Sequence, residues 1–266
     1  MSLKDKLNII KEGVFSALPT AKSLPATYAK NDLTVLDDMD SELDKLLEED
    51  SSLVNKTLNY TKDVIRLIVL LDISNSMNGT EGDIYLGLKD LVEKHRDDNI
   101  LVNFVVFNGE RYVLLDDVYI GSVKIPEIET IGSTNLNGSL YYTIKDKCSE
   151  GVNLLVTISD GEDTVKEKTV KDVRDLMASI RNEHNHFYFL GEPNERQTPE
   201  DVFKNAQELG FNWDNIAIFT RLGNGNKLNF AVISQMLDEL IEYGKISSTW
   251  SNPIKEHYLA LTDKRC

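Results

Sequence analysis

The chain has 266 residues, and 29 Lys plus Arg against 44 Asp plus Glu give it a formal net charge of −15 at pH 7. Hydrophobic residues make up 41% and charged residues 27%, which is the composition of a folded globular protein and excludes disordered, collagen-like and coiled-coil chains. The acidic balance argues against nucleic acid and anionic membrane surfaces as partners, because binding to either depends on clustered Lys and Arg.

The sequence predicts neither a membrane span nor a secretion signal. Its longest apolar run, residues 67–71, is far shorter than the ~20 residues that a transmembrane helix needs. The first residues contain no continuous apolar core followed by a small-residue cleavage site. With only two cysteines, Cys148 and Cys266, the chain is not expected to form a disulfide framework. A cytoplasmic location is therefore expected. The Asn- and Lys-rich composition with six prolines is compatible with a bacterial or phage origin.

Residues 1–60 are expected to form an irregular arm and an acidic helix outside the main domain. Pro19 and Pro25 interrupt any periodic pattern in the arm. Further on, apolar residues recur every three or four positions among acidic ones, which predicts an amphipathic helix over 36–49. These apolar residues are Leu36, Met39, Leu43, Leu46 and Leu47. The acidic face is either simply solvated or a surface for a basic partner.

From residue 62 to 245 the pattern changes to buried strands that alternate with amphipathic helices. Residues 64–71 form a nearly continuous aliphatic run that ends at an Asp/Ser/Asn/Gly cluster, which is typical of a parallel strand covered on both faces. A second strand is predicted over 101–107. Asn108-Gly109 joins it to residues 111–115, and Asn-Gly between two strand patterns predicts a hairpin. The third strand is therefore expected to be an antiparallel edge.

The remaining segments continue the alternation. Helices are predicted around 84–92, 136–147, 170–180, 198–210 and 227–243, and strands over 152–159, 187–190 and 216–219. This order predicts an α/β fold with a doubly wound, Rossmann-like, mostly parallel sheet flanked by helices. Residues 246–266 are left as a C-terminal tail without an assigned element. In such a sheet ligands bind beyond the carboxyl ends of the strands where the strand order reverses, which places any site after strands one and four.

Polar oxygens gather after these two strands. Asp72, Ser74 and Ser76 stand at alternate positions directly after the first strand, and alternate side chains of an extended segment point the same way. Asp160 follows the fourth strand, and Thr134 lies in a Gly-bracketed loop at a helix N-terminus between the two strands. Oxygen ligands of this kind indicate a hard cation.

These residues resemble the von Willebrand factor A family, whose metal-ion-dependent adhesion site reads Asp-x-Ser-x-Ser, then a mid-chain Thr, then Asp-Gly after the fourth strand. All five positions match in the family's order, and the resemblance covers about residues 62–243. It implies a Mg²⁺ (or Mn²⁺) ion bound directly by Ser74, Ser76 and Thr134. Asp72 and Asp160 would then hold waters of the ion, because Mg²⁺ prefers octahedral oxygen coordination and keeps several waters.

The resemblance implies a metal-dependent protein-binding module without catalytic residues, acting inside the cell as a scaffold or assembly factor. With few charged direct ligands the cation stays electrophilic, and its open position favours an Asp or Glu carboxylate of a protein partner. The acids next to the site, Glu162 and Asp163, are expected to cap the following helix. His184 and His186 lack a Cys or a third His beside them, which disfavours a zinc site.

Two other functions stay open at the level of sequence. An Asp after the first strand of such a sheet also begins phosphatases of the haloacid dehalogenase type, which predicts metal-assisted phosphoryl hydrolysis. Those enzymes have Asp-x-Asp, whereas Ser74 stands at the second position here and no Gly-rich phosphate loop is present. The third hypothesis is a structural interaction protein with a vestigial metal site, in which the acidic helix over 36–49 makes the contacts.

Overall fold

A computed structural model describes residues 64–148 and 151–262 of the chain. The arm and acidic helix predicted within residues 1–60 lie outside the described residues, as does Cys266. Among the residues that are described, no helix has both the length and the apolar character needed to cross a membrane.

The described part of the chain alternates strands and helices as the sequence predicts. Its elements are β1 (Ile65–Asp72), α1 (Glu81–Lys94), β2 (Ile100–Phe107), β3 (Arg111–Tyr119), α2 (Leu136–Lys147), β4 (Val152–Ser159), α3 (Val170–Ile180), β5 (Asn185–Gly191), α4 (Pro199–Leu209), β6 (Ile216–Ile218), α5 (Gly225–Tyr243) and α6 (Asn252–Thr262).

The six strands form one sheet in the order β3-β2-β1-β4-β5-β6. Every neighbouring pair is parallel except β2 and β3, which are antiparallel, so the predicted fold class and edge hairpin are confirmed. The chain runs outward from β1 to β3 and then returns to place β4 on the other side of β1. The strand order therefore reverses between β1 and β4, at the centre of the sheet.

The continuous aliphatic runs of the central strands are explained by a hydrophobic core on each face of the sheet. Successive β1 side chains alternate between the two cores: Leu67 packs in one and Ile68 in the other, and both are fully buried. The first core contains side chains of α1 and α5, such as Leu88 and Phe230. The second contains side chains of α2, α3 and α4, such as Leu140. Burial on both faces leaves only the loops at the strand ends for polar chemistry.

Three helix termini compare directly with the local sequence signals. Thr198 caps α4 ahead of Pro199, and Gly210 ends this helix with φ at +109°, as predicted. The expectation that Glu162 and Asp163 cap α3 is wrong, because a loop separates them from that helix. Thr169 caps α3 in a reciprocal capping box with its own first turn.

The segment without an assigned element carries α6 and contributes to the core. Trp250, just before α6, is almost fully buried and packs edge-to-face against Tyr188 of β5 with the ring centroids 4.9 Å apart. Its indole Nε1 donates a hydrogen bond of 2.8 Å to the backbone carbonyl of Asp214, just before β6. These contacts support the β5 and β6 side of the sheet.

Candidate functional site

The Asp-x-Ser-x-Ser and Asp-Gly motifs lie at the carboxyl ends of two neighbouring strands. Asp72 is the last residue of β1, and Asp160 directly follows the last residue of β4. Because β1 and β4 are parallel neighbours, with Leu71 opposite Ile158, the two motifs begin side by side. This is the point where the strand order reverses.

The Asp72 carboxylate is fully buried and links the two strand ends. Its Oδ1 accepts a hydrogen bond of 2.8 Å from the backbone N–H of Ser74, and its Oδ2 accepts one of 2.7 Å from the Ser159 hydroxyl. The hydroxyl oxygens of Ser74 and Ser76 lie 2.9 Å apart in the turn that follows. The three polar residues of the first motif are thus arranged as one connected group.

The loop that carries Thr134 is joined to both motifs. On one side, Asn75 and Gly132 exchange two hydrogen bonds: the Asn75 backbone N–H donates to the Gly132 carbonyl, and the Gly132 N–H donates to Asn75 Oδ1. On the other side, the Thr134 backbone N–H donates to the Thr164 hydroxyl, which itself donates to the Thr134 carbonyl, each at 3.0 Å. Thr134 is therefore held between the turn that carries Ser74 and Ser76, called the serine turn below, and the loop after β4.

Asp160 is buried and bound by neutral donors. Its Oδ1 accepts a hydrogen bond of 3.1 Å from the backbone N–H of Glu162, and its Oδ2 lies 3.4 Å from the side-chain amide of Asn194. Asn194 belongs to the loop after β5, so this loop also contributes to the site. A lone Asn in a loop carries no sequence signal that would identify this role.

An open cleft of about 910 Å³ lies over these loops and is lined by four of the five predicted residues, Ser74, Ser76, Thr134 and Asp160. Asp72, the fifth, does not line the cleft and contacts it through Ser74. The rest of the lining includes Asn75, Ser133, Glu162, Thr164, Asn194 and Arg196. The structure therefore brings together residues from five segments that are far apart in sequence.

The two aspartates carry an electrostatic cost. The pKa of Asp72 is raised to about 7, mainly by burial and also by the nearby Asp160 carboxylate, and the hydrogen bonds from Ser74 and Ser159 offset part of this rise. The donors to both carboxylates are neutral hydroxyl, amide and backbone groups. Positive charge placed in the cleft would offset this cost.

A third buried acid, which sequence reasoning misses, lies after β5. Glu192 is 3% exposed, and its Oε1 accepts hydrogen bonds from the backbone N–H and the Nε of Arg221, at 2.8 and 2.9 Å. The Arg221 guanidinium also donates to the backbone carbonyl of Ser76. Burial raises the pKa of Glu192, while its bonds to Arg221 lower it. A single Glu after a strand belongs to no motif, so only the folded chain identifies the pair.

The donor set fits a hard divalent cation. Mg²⁺ binds oxygen ligands at about 2.0 to 2.1 Å in octahedral geometry, so two adjacent ligands stand about 2.9 Å apart. The Ser74 and Ser76 hydroxyl oxygens have this separation. Within the described ranges, no group of three or more His, Cys, Asp or Glu could hold a metal ion. The candidate ligands at the cleft are the hydroxyls of Ser74, Ser76 and Thr134.

No protein-family model matches this chain, and no curated protein does. Solved structures do match. The pilus adhesin SpaC from Lactobacillus rhamnosus GG aligns with 65% of this chain and 30% of its own, at 12% identity and a TM-score of 0.52. The von Willebrand factor domain of the type V pili tip protein Mfa5 from Porphyromonas gingivalis aligns over 70% of this chain and 99% of its own, at 12% identity and a TM-score of 0.49.

A von Willebrand factor type A protein from Catenulispora acidiphila aligns over 65% of this chain and 42% of its own, at 14% identity and a TM-score of 0.47. This chain thus spans less than half the length of SpaC and of the Catenulispora protein. At these identities the likeness concerns the fold. The described sheet, with its antiparallel edge strand and helices on both faces, has the α/β architecture that the resemblance implies, and it shares its fold with SpaC.

Proposed function

We propose that this chain is a metal-dependent protein-binding module, in which Mg²⁺ or Mn²⁺ at the cleft captures an Asp or Glu side chain of a partner. The ion would be held directly by Ser74, Ser76 and Thr134. When bound, it supplies an electrophilic position that a carboxylate can occupy. Asp72 and Asp160 would accept hydrogen bonds from its waters.

The observation that carries this proposal is the convergence of the oxygens. Two hydroxyls at the spacing of adjacent octahedral ligands line one cleft with Thr134 and Asp160, and the Asp72 carboxylate is buried behind the Ser74 backbone. The outer residues supply orientation: Ser159 fixes the carboxylate of Asp72, and Asn194 that of Asp160. Such outer partners tune metal affinity in known sites.

Charge explains why the ion would be required for an acidic partner. The chain carries a net charge of −15, and the cleft lining itself holds four acids against two arginines. These residues are Asp160, Glu162, Glu192, Glu195, Arg196 and Arg221. A divalent cation neutralises this local excess of negative charge. Repulsion from the rest of the surface is screened beyond about 8 Å at physiological salt, so short-range ligation decides binding.

An interaction role, without catalysis, is also supported by the fold that this chain shares with SpaC, which is a pilus adhesin. The proposal extends to an intracellular scaffold or assembly factor, argued from the low cysteine content. Fractionation of the source cells tests the location. Recovery of the protein with surface pili in place of the cytosolic fraction would contradict it.

Isothermal titration calorimetry with Mn²⁺ and Mg²⁺ alone tests the metal site. The wild-type chain should bind one ion, and its melting temperature should rise with ion concentration, because an ion that binds only the folded state stabilises it. Asp160→Ala and the double variant Ser74→Ala, Ser76→Ala should lose both responses.

Asp97→Ala is the matched control, because Asp97 is exposed and precedes β2 at the opposite edge of the sheet. It should bind Mn²⁺ like the wild type. Absence of binding by the wild type, or equal binding by Asp160→Ala, refutes the metal site. A synthetic Glu-containing peptide that binds equally in Mn²⁺ and in chelator refutes carboxylate capture.

A further inference from the structure

The Glu192–Arg221 pair joins the far side of the sheet to the serine turn. Glu192 directly follows β5, and Arg221 lies in the loop between β6 and α5. The Arg221 guanidinium spans 145 residues of sequence to donate to the backbone carbonyl of Ser76. Because the Ser76 hydroxyl lies 2.9 Å from that of Ser74, this contact acts on the segment that presents both hydroxyls to the cleft.

Only one oxygen of the Glu192 carboxylate accepts hydrogen bonds from the described residues. Its Oε1 accepts both hydrogen bonds from Arg221, whereas its buried Oε2 accepts none from the described residues. A buried carboxylate oxygen without a donor is costly. Glu192 lines the cleft together with Ser76 and Asp160. Glu192 therefore has an unpartnered oxygen and belongs to the wall of the cleft, which makes it a candidate acceptor for a hydrated ligand.

We propose that Glu192 and Arg221 are a positioning pair for the cation. Arg221 fixes the backbone of Ser76 and with it the two serine hydroxyls. Glu192 fixes the guanidinium through Oε1 and keeps Oε2 as an acceptor for a water of the bound ion. This inference rests on the proposed function and adds to it two residues outside the Asp-x-Ser-x-Ser, Thr and Asp motif.

The direction in which Arg221→Met changes the Mn²⁺ affinity separates a positioning role from a simple effect of charge. Arg221→Met removes a positive charge from the cleft, which by electrostatics alone would raise affinity for Mn²⁺. Positioning predicts the opposite, a loss of about tenfold, since mutation of outer partners costs about 10- to 100-fold in metal affinity. Arg221→Lys keeps the charge and one donor, so it should recover part of the loss. Glu192→Gln should weaken Mn²⁺ binding about threefold or more.

Arg196→Met is the matched control, because Arg196 also lines the cleft but is exposed. It removes the same charge and should leave Mn²⁺ affinity equal or slightly higher. Affinities are measured by calorimetry with Mn²⁺ alone, on protein shown to be folded by circular dichroism. Unfolding of the metal-free variants is measured in parallel, because a merely structural role would lower stability and leave the affinity of the folded chain unchanged.

Each result decides between the alternatives. If the wild type fails to bind Mn²⁺, the proposed function is wrong. If the wild type binds and Arg221→Met binds as tightly or more tightly, the positioning role is wrong while the metal site stands. Should Arg221→Met fail to fold, Arg221→Lys decides: a wild-type affinity overturns the role of Arg221. A wild-type affinity of Glu192→Gln overturns that of Glu192.

Discussion

Two buried carboxylates at the same edge of the sheet are stabilised in different ways. At the end of β1, Asp72 accepts hydrogen bonds from a hydroxyl and a backbone N–H. After β5, Glu192 is bound by the Arg221 guanidinium. A buried charge is costly without a countercharge. The fold supplies that countercharge at the β5 and β6 side, and neutral donors alone surround the Asp72 carboxylate on the β1 and β4 side.

This difference indicates which side lacks a countercharge. Around Glu192, the loop after β6 contributes the positive charge and is in turn tied to Ser76. Around Asp72 and Asp160, the neighbouring groups orient the carboxylates without neutralising them. The β1 and β4 side is therefore where an external cation would change the energetics most, as the proposed function requires.

The largest expected effect is on the free energy of unfolding. It tests whether the core packing of β5 changes the affinity of the cleft for a cation. Trp250→Ala removes a buried ring that packs on Tyr188 of β5, and large-to-small core substitutions of this kind cost about 3–5 kcal/mol. We expect the free energy of unfolding to fall by that amount in urea titrations. We also expect Mn²⁺ affinity to be unchanged at temperatures where the variant is folded, because the contacts of Trp250 with Tyr188 and with the Asp214 carbonyl involve neither the cleft hydroxyls nor the Glu192–Arg221 pair.

Trp213→Ala is the control, since the Trp213 side chain is 65% exposed and its loss should change stability by less than about 0.5 kcal/mol. A large loss of Mn²⁺ affinity in Trp250→Ala would show that the two sides are coupled through the core.

A smaller effect concerns pH. The pKa of Asp72 is raised to about 7 from its ordinary value of 3.8, so the metal-free folded state binds a proton more tightly than the unfolded state does. Stability is then greatest at low pH and is lost as pH rises through 7. Between pH 5 and pH 8 this group alone should lower the free energy of unfolding by about 3 kcal/mol.

Chemical denaturation in chelator at several pH values measures this slope. Asp72→Asn should flatten it, because the amide does not titrate, whereas Asp97→Asn at the exposed control position should retain the wild-type slope. If Asp72→Asn keeps the full dependence of the free energy of unfolding on pH, the cost of burying a charge does not lie at Asp72. The contrast between Asp72, bound by neutral donors, and Glu192, bound by a guanidinium, would then be wrong.

The β1 and β4 side could be predicted from sequence because its residues stand in short local patterns. The aliphatic run of β1 and the Asp72, Ser74, Ser76 alternation are both read within a dozen residues, and parallel pairing brings Asp160 beside them. Asn108-Gly109 similarly encodes the antiparallel edge. Local signals of this kind also predict the caps of α4.

The β5 and β6 side could not be predicted in the same way. Glu192 and Arg221 are single residues in separate loops, and the contact with Ser76 depends on a separation of 145 residues. The helix α6 escapes prediction because its sequence lacks a strong apolar period, and its place is decided by the packing of Trp250 and Ile254 into the core. Tertiary contacts, and no local pattern, define this half of the site.

The smallest expected effect is the loss of stability when a helix cap is removed. One cap lies after β4 and the other after β5. Thr169 begins α3 after β4, and Thr198 begins α4 after β5, each in a reciprocal capping box with an Asp three residues on. Thr169→Ala and Thr198→Ala should each cost about 1 kcal/mol of stability, because both leave the same backbone donors unsatisfied. Neither cap contacts the cation ligands, so the rise in melting temperature with Mg²⁺ should match the wild type in both variants. A reduced Mg²⁺ response in Thr198→Ala alone would show that α4 shapes the loop with Asn194 and Glu192. The Glu192–Arg221 ion pair would then not be enough to hold that loop in place.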